Sequence, residues 1–190
     1  HVVMTSVSHS RASDRTTEAL LKIEVGVGIA DVVVMVQGDE PLITPDIIGE
    51  TLEQFKDPSV DVANVMSRLR SRQDFEDRNN VKVVVNQYQD ALYFSREPIP
   101  SPWKGIEKIP MYMQVGVIAF RRKALIRFSE MAETSLEQIE SVDMNRVLEM
   151  GGHIRMVPTE LKTIGVDTPT ELDDVATLLA DDPLLRQYGV

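Results

Sequence analysis

Short β-branched runs alternate with stretches of helical period along this chain. Val32 to Val36 is continuously apolar, which predicts a central strand covered on both faces, since a helix would need a longer pattern. Asp61 to Val65, Val81 to Val85, Ala91 to Phe94, Met111 to Phe120 and His153 to Val157 predict further strands, with a turn over Gln87 to Asp90. Val2 to Thr5 reads as a strand end, followed by a polar loop and a helix from near Asp14 with Ala19, Leu20 and Ile23 on one face. Thr44 and Pro45 open another helix, whose buried stripe is Ile47, Ile48, Leu52 and Phe55. Arg121 to Met131 and Leu136 to Met150 read as helices, the second stopped by Gly151 and Gly152. Thr168-Pro169-Thr170-Glu171 is a capping box, so Asp167 falls beside a helix N-terminus.

Alternation of this kind, without repeats or low complexity, implies an α/β fold of three layers around a mostly parallel sheet. One domain is expected over residues 1–190, with an antiparallel insertion over 81–120. Ser95 to Lys108 carries Pro98, Pro100, Pro102 and Gly105, and a loop that long in a compact domain tends to be a lid or a binding loop.

Composition narrows the chemistry. With 190 residues, 43% of them hydrophobic, the chain can bury a core without disulfide or metal staples. Its formal charge of −10 argues against a general binder of nucleic acid or anionic membrane, yet one nucleotide could occupy a local basic pocket. There is no cysteine, hence no disulfide framework, thiolate zinc site or cysteine nucleophile. His1, His9 and His153 lack the i, i+4 spacing of a zinc site, and Met111 and Met113 alternate in a strand as core or subunit-contact residues would. Glu137, Glu140 and Asp143 stand at near-helical spacing and read first as a solvated face. No apolar stretch approaches the roughly 18 residues of a membrane span. The chain opens as though a strand were already under way, so it is expected to be a piece of a longer protein.

Gln37-Gly38-Asp39-Glu40-Pro41 directly follows the Val32 strand, and Val166-Asp167-Thr168-Pro169 follows a second β-branched segment. Each places an aspartate after a strand and before a proline and a helix, where open α/β sheets gather ligands. Singly, such an aspartate can be a turn or helix cap. Together, Asp39 and Asp167 could share a divalent cation, and magnesium favours carboxylates plus substrate phosphates.

These motifs, read with Ser13-Asp14-Arg15, Asn80 to Val84, and Ala91 to Pro100, resemble the CMP-Kdo synthetases over essentially the whole chain. That family is also called the 3-deoxy-manno-octulosonate (Kdo) cytidylyltransferases. The resemblance implies a nucleotide-diphospho-sugar transferase-like fold and the Mg²⁺-dependent condensation of CTP with an eight-carbon acidic sugar to a CMP-sugar and pyrophosphate. It further implies a cytoplasmic homodimer, with 81–120 contributing sugar-binding and dimer contacts, that makes a donor for lipopolysaccharide. By the same resemblance, Asp39 and Asp167 hold the metal, while Ser13, Arg15 and Gln37 lie on the nucleotide side. Arg96 joins the metal aspartates as a catalytic residue and faces the sugar, along with Gln114, Glu140 and Asp143.

The sequence also departs from the family pattern. Arg11-Ala12 stands where the family commonly has Ser-Gly, Gln114 where it has histidine, Ile118 where it has tyrosine, and Asp143-Met144 where it has Glu-Gln. Three of these fall on the sugar side, so the expected sugar is Kdo or a close analogue. The family's glycine-rich loop with its arginine and lysine has no counterpart here, which predicts a poor catalyst from this stretch alone. Two other readings stay open: a glycosyltransferase using a preformed nucleotide-sugar, and a noncatalytic ligand-binding or assembly fragment.

Overall fold

The computed structural model describes residues 2–105, 109–161, 163–166, 168–180 and 182–187. Its six strands are β1 (Val32–Val36), β2 (Val62–Arg68), β3 (Lys82–Val85), β4 (Ala91–Ser95), β5 (Tyr112–Arg121) and β6 (Arg155–Thr159). The helices are α1 (Ala12–Val27), α2 (Pro45–Glu53), α3 (Arg72–Glu76), α4 (Arg122–Glu130), α5 (Ser135–Glu140), α6 (Met144–Glu149), α7 (Pro169–Ala180) and α8 (Pro183–Gln187).

Strand alternation builds the layers. On β5, Ile118 and Phe120 meet Leu20 of α1, Leu125 and Phe128 of α4 and Met144 of α6 in one buried cluster. Their sequence neighbours Met113, Val115 and Val117 face the other way, against Ile47 of α2 and Phe75 of α3. Both faces of the sheet are therefore covered, which makes the arrangement a three-layer α/β fold.

The sheet itself is mixed. β1, β2 and β3 all pair antiparallel with β5, and β3 pairs antiparallel with β4. Only β2 with β6 forms a parallel ladder among the described strands. β1, β2, β3 and β6 thus share one direction, as a parallel architecture would have it, but β5 runs through the middle against them. The strands of the 81–120 segment do pair antiparallel with one another, and the last of them, β5, is the spine of the sheet. For the same reason β1 is not central: among the described residues it pairs on one side only, and Val36 is 43% exposed.

Other expectations are corrected by local chemistry. Val2 to Thr5 forms no strand. Side chains tether this segment to α1 instead, through Lys22 Nζ to the Met4 carbonyl (2.9 Å) and Arg15 Nη1 to Thr5 Oγ1 (2.6 Å). Leu136 to Met150 is two helices rather than one, because Ser141 takes a left-handed conformation (φ 54°) and turns the chain. Leu52 is exposed, and the buried partner of Ile47 is Thr51, whose hydroxyl donates to the Ile47 carbonyl at 2.7 Å. The short α3 was not anticipated; the Ser71 side chain caps it by accepting from the Asp74 N–H at 2.9 Å. Among the described residues no helix is long and apolar enough to cross a membrane.

Candidate active site

The α1-facing side of β5 reads Tyr112, Gln114, Gly116, Ile118, Phe120, and its apolar run is broken at Gln114 and Gly116. Above that break opens a cavity of about 340 Å³, lined also by Gln37, Asp39, Arg96 and Asp143. A second lobe of about 450 Å³, which includes Arg15, shares Ser10, Arg11, Ala12, Gln37 and Asp39 with the first.

The loop after β1 is clasped to β5. Gln37 N–H donates to the Gly116 carbonyl (2.9 Å), and Gly116 N–H donates to Glu40 Oε1 (2.8 Å). A Cβ at position 116 would lie 3.0 Å from both Gln37 Cβ and Glu40 Cγ, so any larger residue would push these two side chains aside by a few tenths of an ångström. From the far end of the chain, Val166 N–H donates to the Asp39 carbonyl at 2.9 Å. Asp167 lies outside the described residues, but the residue before it is thus bonded to Asp39. Thr168 and Glu171 make the expected capping box, with Thr168 N–H to Glu171 Oε2 at 2.7 Å and Glu171 N–H to Thr168 Oγ1 at 3.3 Å.

Asp39 is exposed at the cavity edge, and its carboxylate has no hydrogen-bond partner among the described residues. A carboxylate with vacant oxygens, beside a cavity roomy enough for phosphate, fits a hard divalent cation. Among the described residues no three acidic or histidine side chains stand close enough together to hold a metal ion between them, so such an ion would draw further ligands from substrate oxygens.

Arg96 lines the same cavity and forms part of its wall. Its Nε donates to the Glu140 carbonyl and its Nη1 to the Arg78 carbonyl, both at 2.9 Å. Glu140 does not line the cavity; it stands behind Arg96, accepting from Arg96 N–H (2.9 Å), Tyr93 Oη (2.8 Å) and Ser95 Oγ (2.8 Å). Burial pushes the Glu140 carboxyl up, but these three donors outweigh it and leave the group below its ordinary value. Burial, with Glu140 adding to it, pushes the Tyr93 phenol up to about 12. Fully buried Lys82 braces the same wall, its ammonium donating to the carbonyls of Asp77 (2.7 Å) and Arg96 (2.5 Å) while burial pulls its pKa down.

Asp143 reaches the cavity from the α5–α6 corner and accepts from buried Ser13 Oγ at 2.9 Å. Burial pushes the Asp143 carboxyl up, against the opposing pull of Ser13 and of the Arg11 charge. Behind the corner, Glu137 is fully buried, which overturns its reading as solvated. Arg146 grips it through Nε (2.6 Å) and Nη2 (2.5 Å), and Thr134 N–H adds a bond at 3.3 Å. Burial pushes Glu137 up, yet Arg146 holds it net below the usual carboxylate range. Gln114 is held from the floor, its Nε2 donating to Asn64 Oδ1 at 2.7 Å. Asn64 in turn satisfies the carbonyls of Val115 and Val117, both at 2.9 Å, beside a register shift between β2 and β5.

One cavity therefore gathers Gln37, Asp39, Arg96, Gln114 and Asp143; Ser13 lies beneath it, Arg15 in the second lobe, and Glu140 behind Arg96. Sequence reasoning missed Asn64, Lys82 and Gly116. The signal available was a polar or side-chain-less residue at an inward position of an otherwise apolar strand.

The cytidylyltransferase family profile matches residues 1–161. The chain is 40% identical to a 3-deoxy-manno-octulosonate cytidylyltransferase of Geobacter metallireducens, across 94% of this chain and 73% of that protein. It is 41% identical to the protein of the same name from Pelobacter propionicus, across 89% of this chain and 69% of the relative. Among solved structures, a CMP:2-keto-3-deoxy-manno-octonic acid synthetase complexed with CTP superposes with a TM-score of 0.84 at 38% identity, covering 94% of this chain and 71% of that one.

Proposed function

Because the chain belongs to the cytidylyltransferase family, we propose that it transfers CMP from CTP to Kdo and releases pyrophosphate. The observation that carries this reading is one cavity lined by both Asp39 and Arg96, together with Gln114 and Gly116. An acidic sugar and a nucleotide must meet there with their charges managed from both sides.

In the reaction, the anomeric hydroxyl oxygen of the sugar bonds to the α-phosphorus of CTP as the bond to the bridging oxygen breaks. Pyrophosphate leaves, and the hydroxyl proton passes to water. Asp39 and Asp167 would hold Mg²⁺, which when bound supplies charge stabilisation to phosphate oxygens and acidifies a hydroxyl brought to it. Arg96, with its backbone-anchored guanidinium, presents a fixed cation to the sugar carboxylate. Gln114, fixed by Asn64, offers an amide to sugar hydroxyls, and Asp143 faces the same lobe. Gln37 and Arg15, with buried Ser13 steadying Asp143, serve the nucleotide side.

The same reading makes the protein a cytoplasmic homodimer, because nucleoside triphosphates are cytoplasmic metabolites and because Leu92 and Trp103 in the 81–120 segment are exposed, at 59% and 86%. The test is direct. With CTP, Kdo and Mg²⁺, slow Kdo-dependent release of pyrophosphate and formation of CMP-Kdo are expected. Absence of saturable CTP binding by calorimetry at millimolar nucleotide would overturn the reading.

A further inference from the structure

We propose that Arg11 binds the α-phosphate of the nucleotide, the phosphate that passes to the sugar. The inference rests on the cytidylyl-transfer reading and assigns one contact within it. Arg11 stands where the two lobes of the site join, since it lines both of them together with Gln37 and Asp39. If nucleotide and sugar occupy adjoining lobes, the α-phosphate is the one group bonded to each of them in turn, so it must lie at that junction.

Charge supports the assignment. The main cavity is walled by four carboxylates, Asp39, Glu40, Asp143 and Glu171, against two cations, Arg11 and Arg96. A phosphate entering such a place needs a cation that is free to turn toward it. Arg96 is committed to the carbonyls of Arg78 and Glu140, and Arg15 to Thr5 and Ser6. Arg11, half-buried, makes no side-chain hydrogen bond with any described residue, and only its charge is felt, by Asp143 and Glu137. It is also the N-cap residue of the 16-residue helix α1, whose free N–H groups add positive potential at the same point.

Calorimetry with cytidine, CMP, CTP and Kdo, each with Mg²⁺, tests the assignment on the full chain and its Arg11→Gln and Arg11→Lys variants. Arg11→Gln is expected to weaken CMP and CTP by ~10- to 100-fold, as for a lost charge-assisted contact, and to leave cytidine affinity and the melting temperature unchanged. Arg11→Lys should recover part of the loss. Equal affinities in wild type and Arg11→Gln would overturn the proposal, as would a loss shared equally by cytidine, which marks a structural role. Weakening confined to Kdo would place Arg11 on the sugar instead. A wild-type chain that binds CMP through Arg11 but forms no CMP-Kdo even on prolonged incubation at high enzyme concentration would defeat the cytidylyl-transfer reading alone; one that binds no nucleotide would defeat both.

Discussion

At the α5–α6 corner Glu137 and Glu140 have their oxygens filled by protein donors, whereas across the cavity the Asp39 carboxylate accepts from none of the described residues. Both regions put carboxylates within one small volume, and they do opposite things with them. A carboxylate saturated from inside the protein is scaffold: it fixes a corner or an arginine and has nothing left for a ligand. One left open holds capacity for something that arrives. Acceptor satisfaction, more than spacing along the chain, separates the two kinds.

The contrast breaks most visibly at Arg146. Replacing it with Met strands the buried Glu137 carboxylate and should lower stability by about 3–5 kcal/mol in urea denaturation. A loss below about 1 kcal/mol would mean that Glu137 finds water, and the two walls would then be alike. The reverse signature is expected at the open wall. Asp39→Asn should leave stability within about 0.5 kcal/mol while CMP-Kdo formation falls by about 10²–10³-fold, the size of a lost transition-state contact; unchanged turnover would remove Asp39 from the chemistry.

Glu140→Gln sharpens the comparison, because the amide offers one acceptor where three donors converge. Arg96 should loosen, raising the KM for Kdo by about tenfold, with about 1–2 kcal/mol of stability lost. A change in the KM for CTP instead would detach Glu140 from Arg96. The smallest effect is in acid. Glu137 and Glu140 both have folded-state pKa values below their ordinary 4.5, so their stabilisation is complete above that value and is lost as pH falls through the lowered values. The melting temperature should hold steady from pH 7 to about 5 and then decline, and Glu140→Gln should make the decline shallower. An identical acid limb in that variant would show that the corner's stability comes from elsewhere.

Much of this was legible in the sequence. Val32 to Val36 matches β1 to the residue, and Thr44-Pro45 and Thr168 to Glu171 mark their helix starts because proline and capping chemistry are local. That Asp39 lines a cavity was readable because strand ends are where α/β sheets open, whereas Gln37, in the same cavity, was named through the family resemblance. What stayed hidden depends on distant partners. Helical spacing suggested a solvated Glu137, and only Arg146, brought round by the left-handed Ser141, buries it. Asn64 and Lys82 look out of place until the carbonyls they satisfy are folded against them. The position of β5 was hidden for the same reason, since no local pattern says which strand three others will share.

That shared strand also sets an order on biosynthesis. β1, β2 and β3 find their common neighbour only in Tyr112–Arg121, through registers such as Val32 with Arg121 and Val62 with Phe120. A nascent chain that has emerged only as far as Ser95 carries both the Gln37–Glu40 loop and Arg96's flank with nothing to hold them in register. The Gln37–Glu40 loop and Arg96 are thus brought into register only once that ten-residue segment has emerged, and the cavity is completed later still, by Asp143 and Glu171 from farther along the chain.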